Sequence, residues 1–95
     1  ILKGAGSLIA SPDGRLSVCS QGHPAMATAG LGDVLAGVVG ALLAHGMDGF
    51  GAACLAVWLH ANAGAQAGQS GRGLAATDLI PAIRQLLEEH SPCLK

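Results

Sequence analysis

The segment from Gln21 to Gly32 constrains the fold most, because it interrupts regular structure and leads directly into a helix. The segment contains Pro24, which disfavours regular structure, several glycines, and otherwise mostly small side chains. Behind it, apolar residues recur at i, i+3, i+4 and i+7, which is helical spacing: Leu35, Val38, Val39 and Leu42. The pattern predicts a small-residue loop that runs into the N-terminus of a helix near Gly32.

A β-hairpin is predicted upstream of this loop. Ile1 to Ala10 is apolar at both ends and is typical of a strand. Ser11 to Gly14 carries Pro, Asp and Gly in the order that turns favour. Arg15 to Ser20 then alternates polar and apolar residues, which predicts the partner strand.

Three helices are predicted downstream. His45-Gly46 is a typical helix stop, and a second, Ala-rich helix is expected from about Gly49 to Ala67. A third helix begins at a cap provided by Thr77 or Asp78 and places Pro81 in its first turn. Its expected apolar face consists of Leu79, Ile80, Ile83, Leu86 and Leu87, and Arg84 and Glu88 are spaced to pair on the opposite face.

Composition excludes several classes of protein. Ala and Gly make up 33 of the 95 residues, which favours closely packed helices, and only 12% are charged, with a net charge of -1. The chain is too apolar to be disordered and has no basic surface for nucleic acid or acidic membranes. The eleven-residue apolar run at 34–44 is too short to span a bilayer, which needs about 20 residues.

The cysteines and histidines do not form a metal or disulfide pattern. Three widely spaced cysteines (Cys19, Cys54 and Cys93) suit reduced thiols of the cytoplasm better than a disulfide framework. His23, His45 and His90 have no metal-ligand spacing, and His60 is expected to be a hydrogen-bonded helix histidine.

The junction between loop and helix is the best candidate for chemistry. The first amides of a helix have no internal partners and the dipole is positive there, so small residues let an anion approach. The segment is not a P-loop, because no Gly-Lys-Ser or Gly-Lys-Thr follows. Asp33 at this junction has two open interpretations: an N-cap, or a general base beside a bound phosphate. Lys3 is likewise either an edge-strand lysine that blocks pairing or a charge facing a nucleotide.

Four stretches together resemble the ADP-dependent NAD(P)H-hydrate dehydratases, which have a ribokinase-like α/β fold. They are Leu2 to Ser7, Gly22 to Gly37, Leu59 to Gly64 and Ala76 to Ile80. The resemblance covers nearly the whole chain and about the last third of the family's domain. We therefore expect 1–95 to be the C-terminal segment of such a domain, a hairpin followed by three helices, with its N-terminal part absent.

The resemblance implies repair of hydrated NADH or NADPH in the S form, with ADP converted to AMP and phosphate. It implies Asp33 as the base and substrate contact, and Mg²⁺ with the nucleotide. We also expect a cytoplasmic homo-oligomer that binds neither nucleic acid nor membrane. The residues that would border ADP are Lys3, Gly4, Ala5, Gly6, Ser7, His23, Pro24, Ala25, Met26, Ala27, Thr28, Ala29, Gly30, Leu31 and Gly32. Two alternatives remain: a ribokinase-like small-molecule kinase, and an inactive packing module in which Asp33 only caps a helix.

Overall fold

The computed structural model describes residues 1–3, 6–20, 30–69 and 74–90. Two strands come first, β1 (Ser7–Ala10) and β2 (Leu16–Cys19). Three helices follow: α1 (Leu31–Ala44), α2 (Gly49–Gly68) and α3 (Leu79–His90), with a 3₁₀ turn at Ala76–Asp78 directly before α3. The predicted order of a hairpin and three helices is confirmed.

The hairpin is antiparallel, and its turn forms where Pro, Asp and Gly predict it. The Gly14 amide donates to the Ser11 carbonyl over 3.0 Å. Gly14 has φ 95°, in the left-handed region that favours glycine. The first strand is shorter than the predicted Ile1–Ala10, and Leu2 joins it only through an isolated bridge to Leu8.

The large apolar residues of β2 do not lie on the face of the hairpin that packs against the helices. Ile9 is buried against the helices and lies opposite Ser17 in β2. Because side chains alternate along a strand, this register turns Leu16 and Val18 outward, where they are 64% and 66% exposed. The alternation in β2 therefore predicted the strand, while the pairing with β1 decided which of its faces meets the helices.

Helix α1 ends at the predicted His45-Gly46 stop, and α2 begins at the predicted Gly49. Gly46 has φ 95°, and its amide donates to the Leu43 carbonyl over 3.0 Å. The Met47 amide donates to the Leu42 carbonyl over 3.3 Å, which completes a Schellman motif. Asp48 then caps α2 by accepting a hydrogen bond from the Gly51 amide.

Helix α2 lies at the centre of the fold and contacts α1, α3 and both strands. Its side chains are mostly small, and neighbouring elements cover almost all of its surface, as the Ala-rich sequence predicts. One apolar cluster joins α2 to α1 and α3, and its buried members are Leu31, Leu59, Ala63, Leu74, Leu79, Ile83 and Leu86. A second joins α2 to α1 and the hairpin through Ile9, Leu35, Ala56 and Val57.

Helix α3 buries a narrower face than the sequence predicts. Leu79, Ile83 and Leu86 are buried, but Ile80 and Leu87 are 57% and 36% exposed. The reason is that α3 packs mainly on α2 alone, and a single neighbouring helix covers only one stripe.

The polar interactions at the two ends of α3 also differ from expectation. The Asp78 carboxylate accepts from the Ala75 amide over 2.8 Å, so it stabilises the 3₁₀ turn rather than the first turn of α3. On the exposed face Gln85 donates to Glu89, while no ion pair joins Arg84 to Glu88. Within the described ranges, no helix has the length and apolarity needed to cross a bilayer.

Candidate functional site

The N-terminus of α1 is held by a glycine rather than by a polar cap. Gly30 precedes the helix with φ 89°, and no side chain caps the helix at this position. A Cβ built on Gly30 would lie 3.1 Å from the Cβ of Ala76, in addition to the strain of a positive φ. Both the positive φ and the close approach of Ala76 favour glycine here, and among the described residues no side chain caps the first amides of α1.

The Lys3 ammonium lies at this same helix end. A Cβ built on Gly32 would come within 3.8 Å of Lys3 Nζ, although the two residues are 29 positions apart. Lys3 is exposed. A lysine charge next to the positive end of a helix dipole creates a local attraction for an anion such as phosphate. The structure thus brings together two residues that the sequence proposed separately for a nucleotide site.

Asp33 occupies the third position of α1 and is exposed. The N-cap interpretation of this residue is wrong, because the capping position belongs to Gly30 and carries no side-chain bond. A carboxylate in the first turn interacts favourably with the helix dipole, by about 0.3–1 kcal/mol. Asp33 follows Gly32 directly and so lies at the same end of α1 as the Lys3 ammonium.

The other predicted site residues divide into three groups. Gly6 is exposed and Ser7 is half-buried, both where the chain enters β1. Leu31 is only 3% exposed because its side chain belongs to the core, so only its backbone is available to a ligand. The remaining predicted residues lie outside the described part of the chain: Gly4, Ala5, His23, Pro24, Ala25, Met26, Ala27, Thr28 and Ala29.

His60 enters the site from α2. Its Nε2 lies 2.9 Å from the Leu31 carbonyl oxygen, and the residue is 5% exposed. Burial lowers the pKa of His60 below its usual range; the hydrogen bond to Leu31 opposes this, and the charge of Lys3 lowers the pKa further. The expectation of a hydrogen-bonded helix histidine is confirmed, but the sequence did not reveal its partner. The sequence did offer one indication that His60 has a specific partner: apart from the Cys54 thiol, it is the only titratable side chain in the Gly49–Gly68 helix.

The described residues do not form a metal site of their own. Among them, no group of three His, Cys, Asp or Glu side chains lies close enough to hold an ion. Magnesium commonly keeps several waters and binds through substrate phosphates with one or two carboxylates. A Mg²⁺ ion at this site would thus depend on a bound nucleotide for most of its ligands.

Comparison with known proteins defines the class to which this arrangement belongs. A family model described as NAD(P)H-hydrate dehydratase matches residues 1–85. The chain therefore belongs to the NAD(P)H-hydrate dehydratase family, whose fold is ribokinase-like. No solved structure matches the chain.

Two curated relatives show how the similarity is distributed. The chain is 49% identical over 90 residues to the bifunctional NAD(P)H-hydrate repair enzyme Nnr of Vibrio cholerae, covering 92% of this chain and 18% of that protein. It is 45% identical over 89 residues to the ADP-dependent (S)-NAD(P)H-hydrate dehydratase of Neisseria meningitidis, covering 90% of this chain and 30% of that protein. The chain thus spans less than a third of either relative.

Proposed function

We propose that this chain supplies the phosphate-binding end and the general base of an ADP-dependent (S)-NAD(P)H-hydrate dehydratase. One observation carries the proposal: the Lys3 ammonium reaches Gly32 at the N-terminus of α1, directly beside Asp33. A phosphate group held between Lys3 and the first amides of α1 would be close to a carboxylate that does not serve as a cap. The names of the relatives supply the substrate class.

The proposed chemistry begins as a phosphoryl transfer. Asp33 accepts the proton of the hydroxyl on the hydrated nicotinamide ring, and that oxygen attacks the terminal phosphorus of ADP. The bond to the bridging oxygen breaks and AMP leaves. The carbon–oxygen bond of the new phosphate ester then breaks, phosphate departs, and loss of a ring proton restores NADH or NADPH. Lys3 and the Gly32 amide counter the charge on the phosphate throughout, which is the main requirement of phosphoryl transfer.

The proposed ADP site extends beyond Lys3 and Gly32. Gly6, Ser7, Gly30 and the Leu31 backbone would border ADP, together with the predicted residues outside the described ranges. Mg²⁺ would arrive with the nucleotide and be held mainly by its phosphates. A cytoplasmic homo-oligomer remains our expectation for the complete protein.

The test is an assay of the complete protein that carries this segment, using hydrated NADH with ADP or ATP. We expect NADH to be regenerated with release of AMP when ADP is supplied. Lys3→Gln should weaken ADP binding by roughly 10- to 150-fold, since a charge-assisted hydrogen bond contributes about 1.5–3 kcal/mol. Phosphorylation of a small alcohol by ATP, without dehydration of hydrated NADH, would identify a kinase and contradict the proposal.

A further inference from the structure

A single hydrogen bond connects the central helix to the first turn of α1. His60 on α2 and Leu31 on α1 are 29 positions apart, and the bond between Nε2 and the carbonyl oxygen is buried. A carbonyl oxygen can only accept, so Nε2 must carry the hydrogen. In the neutral ring this leaves Nδ1 unprotonated, and the lowered pKa of His60 favours that neutral form.

The Leu31 carbonyl does not require His60 as a partner. Within an α-helix that begins at Leu31, this oxygen accepts from the amide of Leu35, four residues on. Burying an imidazole merely to supply a second donor to a carbonyl that already has one brings little stability, because a net hydrogen bond contributes only about 1 kcal/mol. The role of this hydrogen bond is therefore to be sought in what it holds in place, since its contribution to stability is small.

The bond fixes the orientation of one particular peptide unit. The Leu31 carbonyl and the Gly32 N–H belong to the same planar trans peptide, so the two groups point in opposite directions and move together. A donor that holds the carbonyl thus also holds the direction of the Gly32 N–H. Donation to the carbonyl in addition polarises the peptide, which strengthens the N–H as a donor. Gly32 is the residue that Lys3 Nζ approaches.

We propose that His60 is a positioning residue that holds the Leu31–Gly32 peptide so that the Gly32 amide and the Lys3 ammonium face the same phosphate group. His60 itself does not touch the phosphate and acts only through the backbone of α1. The identity of the phosphate as that of ADP rests on the function proposed above. The geometry requires only that the ligand present a phosphate-like anion.

The test compares three variants of the complete protein by calorimetric titration with ADP and, separately, with inorganic phosphate. His60→Leu removes the donor, whereas His60→Gln keeps an amide N–H near the position of Nε2. Asn62→Leu is the matched control, because Asn62 donates from the same helix to the Trp58 carbonyl of its own helix over 2.8 Å. We expect His60→Leu to weaken binding of both ligands about tenfold, His60→Gln to stay within about threefold of the wild type, and Asn62→Leu to bind normally.

A purely structural role for His60 predicts a different pattern. In that case, His60→Leu and Asn62→Leu would both lower the melting temperature, and the folded fraction of each would bind ligand as the wild type does. Unchanged affinity in His60→Leu, or equal losses in His60→Leu and His60→Gln, would overturn the inference. If the wild type binds phosphate but not ADP, the proposed function fails and the phosphate data still decide the role of His60. If it binds neither, both proposals fail.

Discussion

Replacing Asp33 by Asn separates the chemical role of this carboxylate from every structural one. Asp33 does not cap α1, is exposed, and contributes to folding through the helix dipole. Loss of its charge should therefore lower the free energy of unfolding by only about 0.3–1 kcal/mol. A positioned general base contributes about 10² to 10⁴ in rate, which corresponds to roughly 3–5.5 kcal/mol of activation free energy. Turnover should thus collapse in a protein that remains folded.

The assay is steady-state turnover of hydrated NADH by the complete protein, with ADP affinity and thermal unfolding measured on the same preparations. ADP affinity should hold or improve, since a negative charge near the phosphates is removed. Asp48→Asn is a suitable control: Asp48 lies beyond the other end of the 14-residue α1, roughly 20 Å away, and Asn is also a good cap. Near-normal turnover in a well-folded Asp33→Asn protein would refute the general-base assignment.

Three further predictions concern stability and completeness. Because the pKa of His60 is lowered in the folded state, the unfolded chain binds more protons than the folded one below about pH 6.5. Urea titrations should therefore show the free energy of unfolding falling as pH drops from about 6.5 toward the lowered pKa, by at most about 1.4 kcal/mol per pH unit. His60→Gln should remove this pH dependence, and an unchanged dependence in that variant would contradict the prediction. Leu59→Ala should lower the free energy of unfolding by about 2–5 kcal/mol, because Leu59 is 1% exposed between the helices, and a loss below about 1 kcal/mol in denaturant titrations would show that this core is loosely packed. The isolated 95-residue chain should show no dehydratase turnover above the enzyme-free rate, since it spans only 18–30% of the first two relatives; measurable turnover would show that this segment is sufficient.

Features set by neighbouring residues could be predicted from the sequence. The stop at His45-Gly46 and the turn ending at Gly14 depend on the positive φ that glycine allows, and both formed as expected. The bounds of α2 followed from its Ala-rich run, whereas its Asp48 cap was not predicted. These signals operate over a few residues, so no knowledge of the remaining fold was needed.

Features set by packing partners could not be predicted in this way. The exposure of Ile80 depends on how much of α3 a neighbour covers, and the outward position of Val18 depends on the register with β1. The approach of Lys3 to Gly32 was expected only through the family resemblance, because residue type alone left Lys3 open. The contact between His60 and Leu31 joins two helices, and no local pattern specifies it.

The position of Leu31 links the packing of the helical core to the geometry of the candidate site. Its side chain belongs to the same buried core cluster as Leu59 and Leu79, while its carbonyl shares a peptide unit with Gly32 at the candidate site. A substitution that repacks this core and shifts Leu31 by a fraction of an ångström would also shift the Gly32 amide of the proposed phosphate site. Thermostabilising libraries directed at these apolar positions should therefore be screened for nucleotide affinity, and compensating changes are expected at the core positions around Leu31 rather than among residues that touch the ligand.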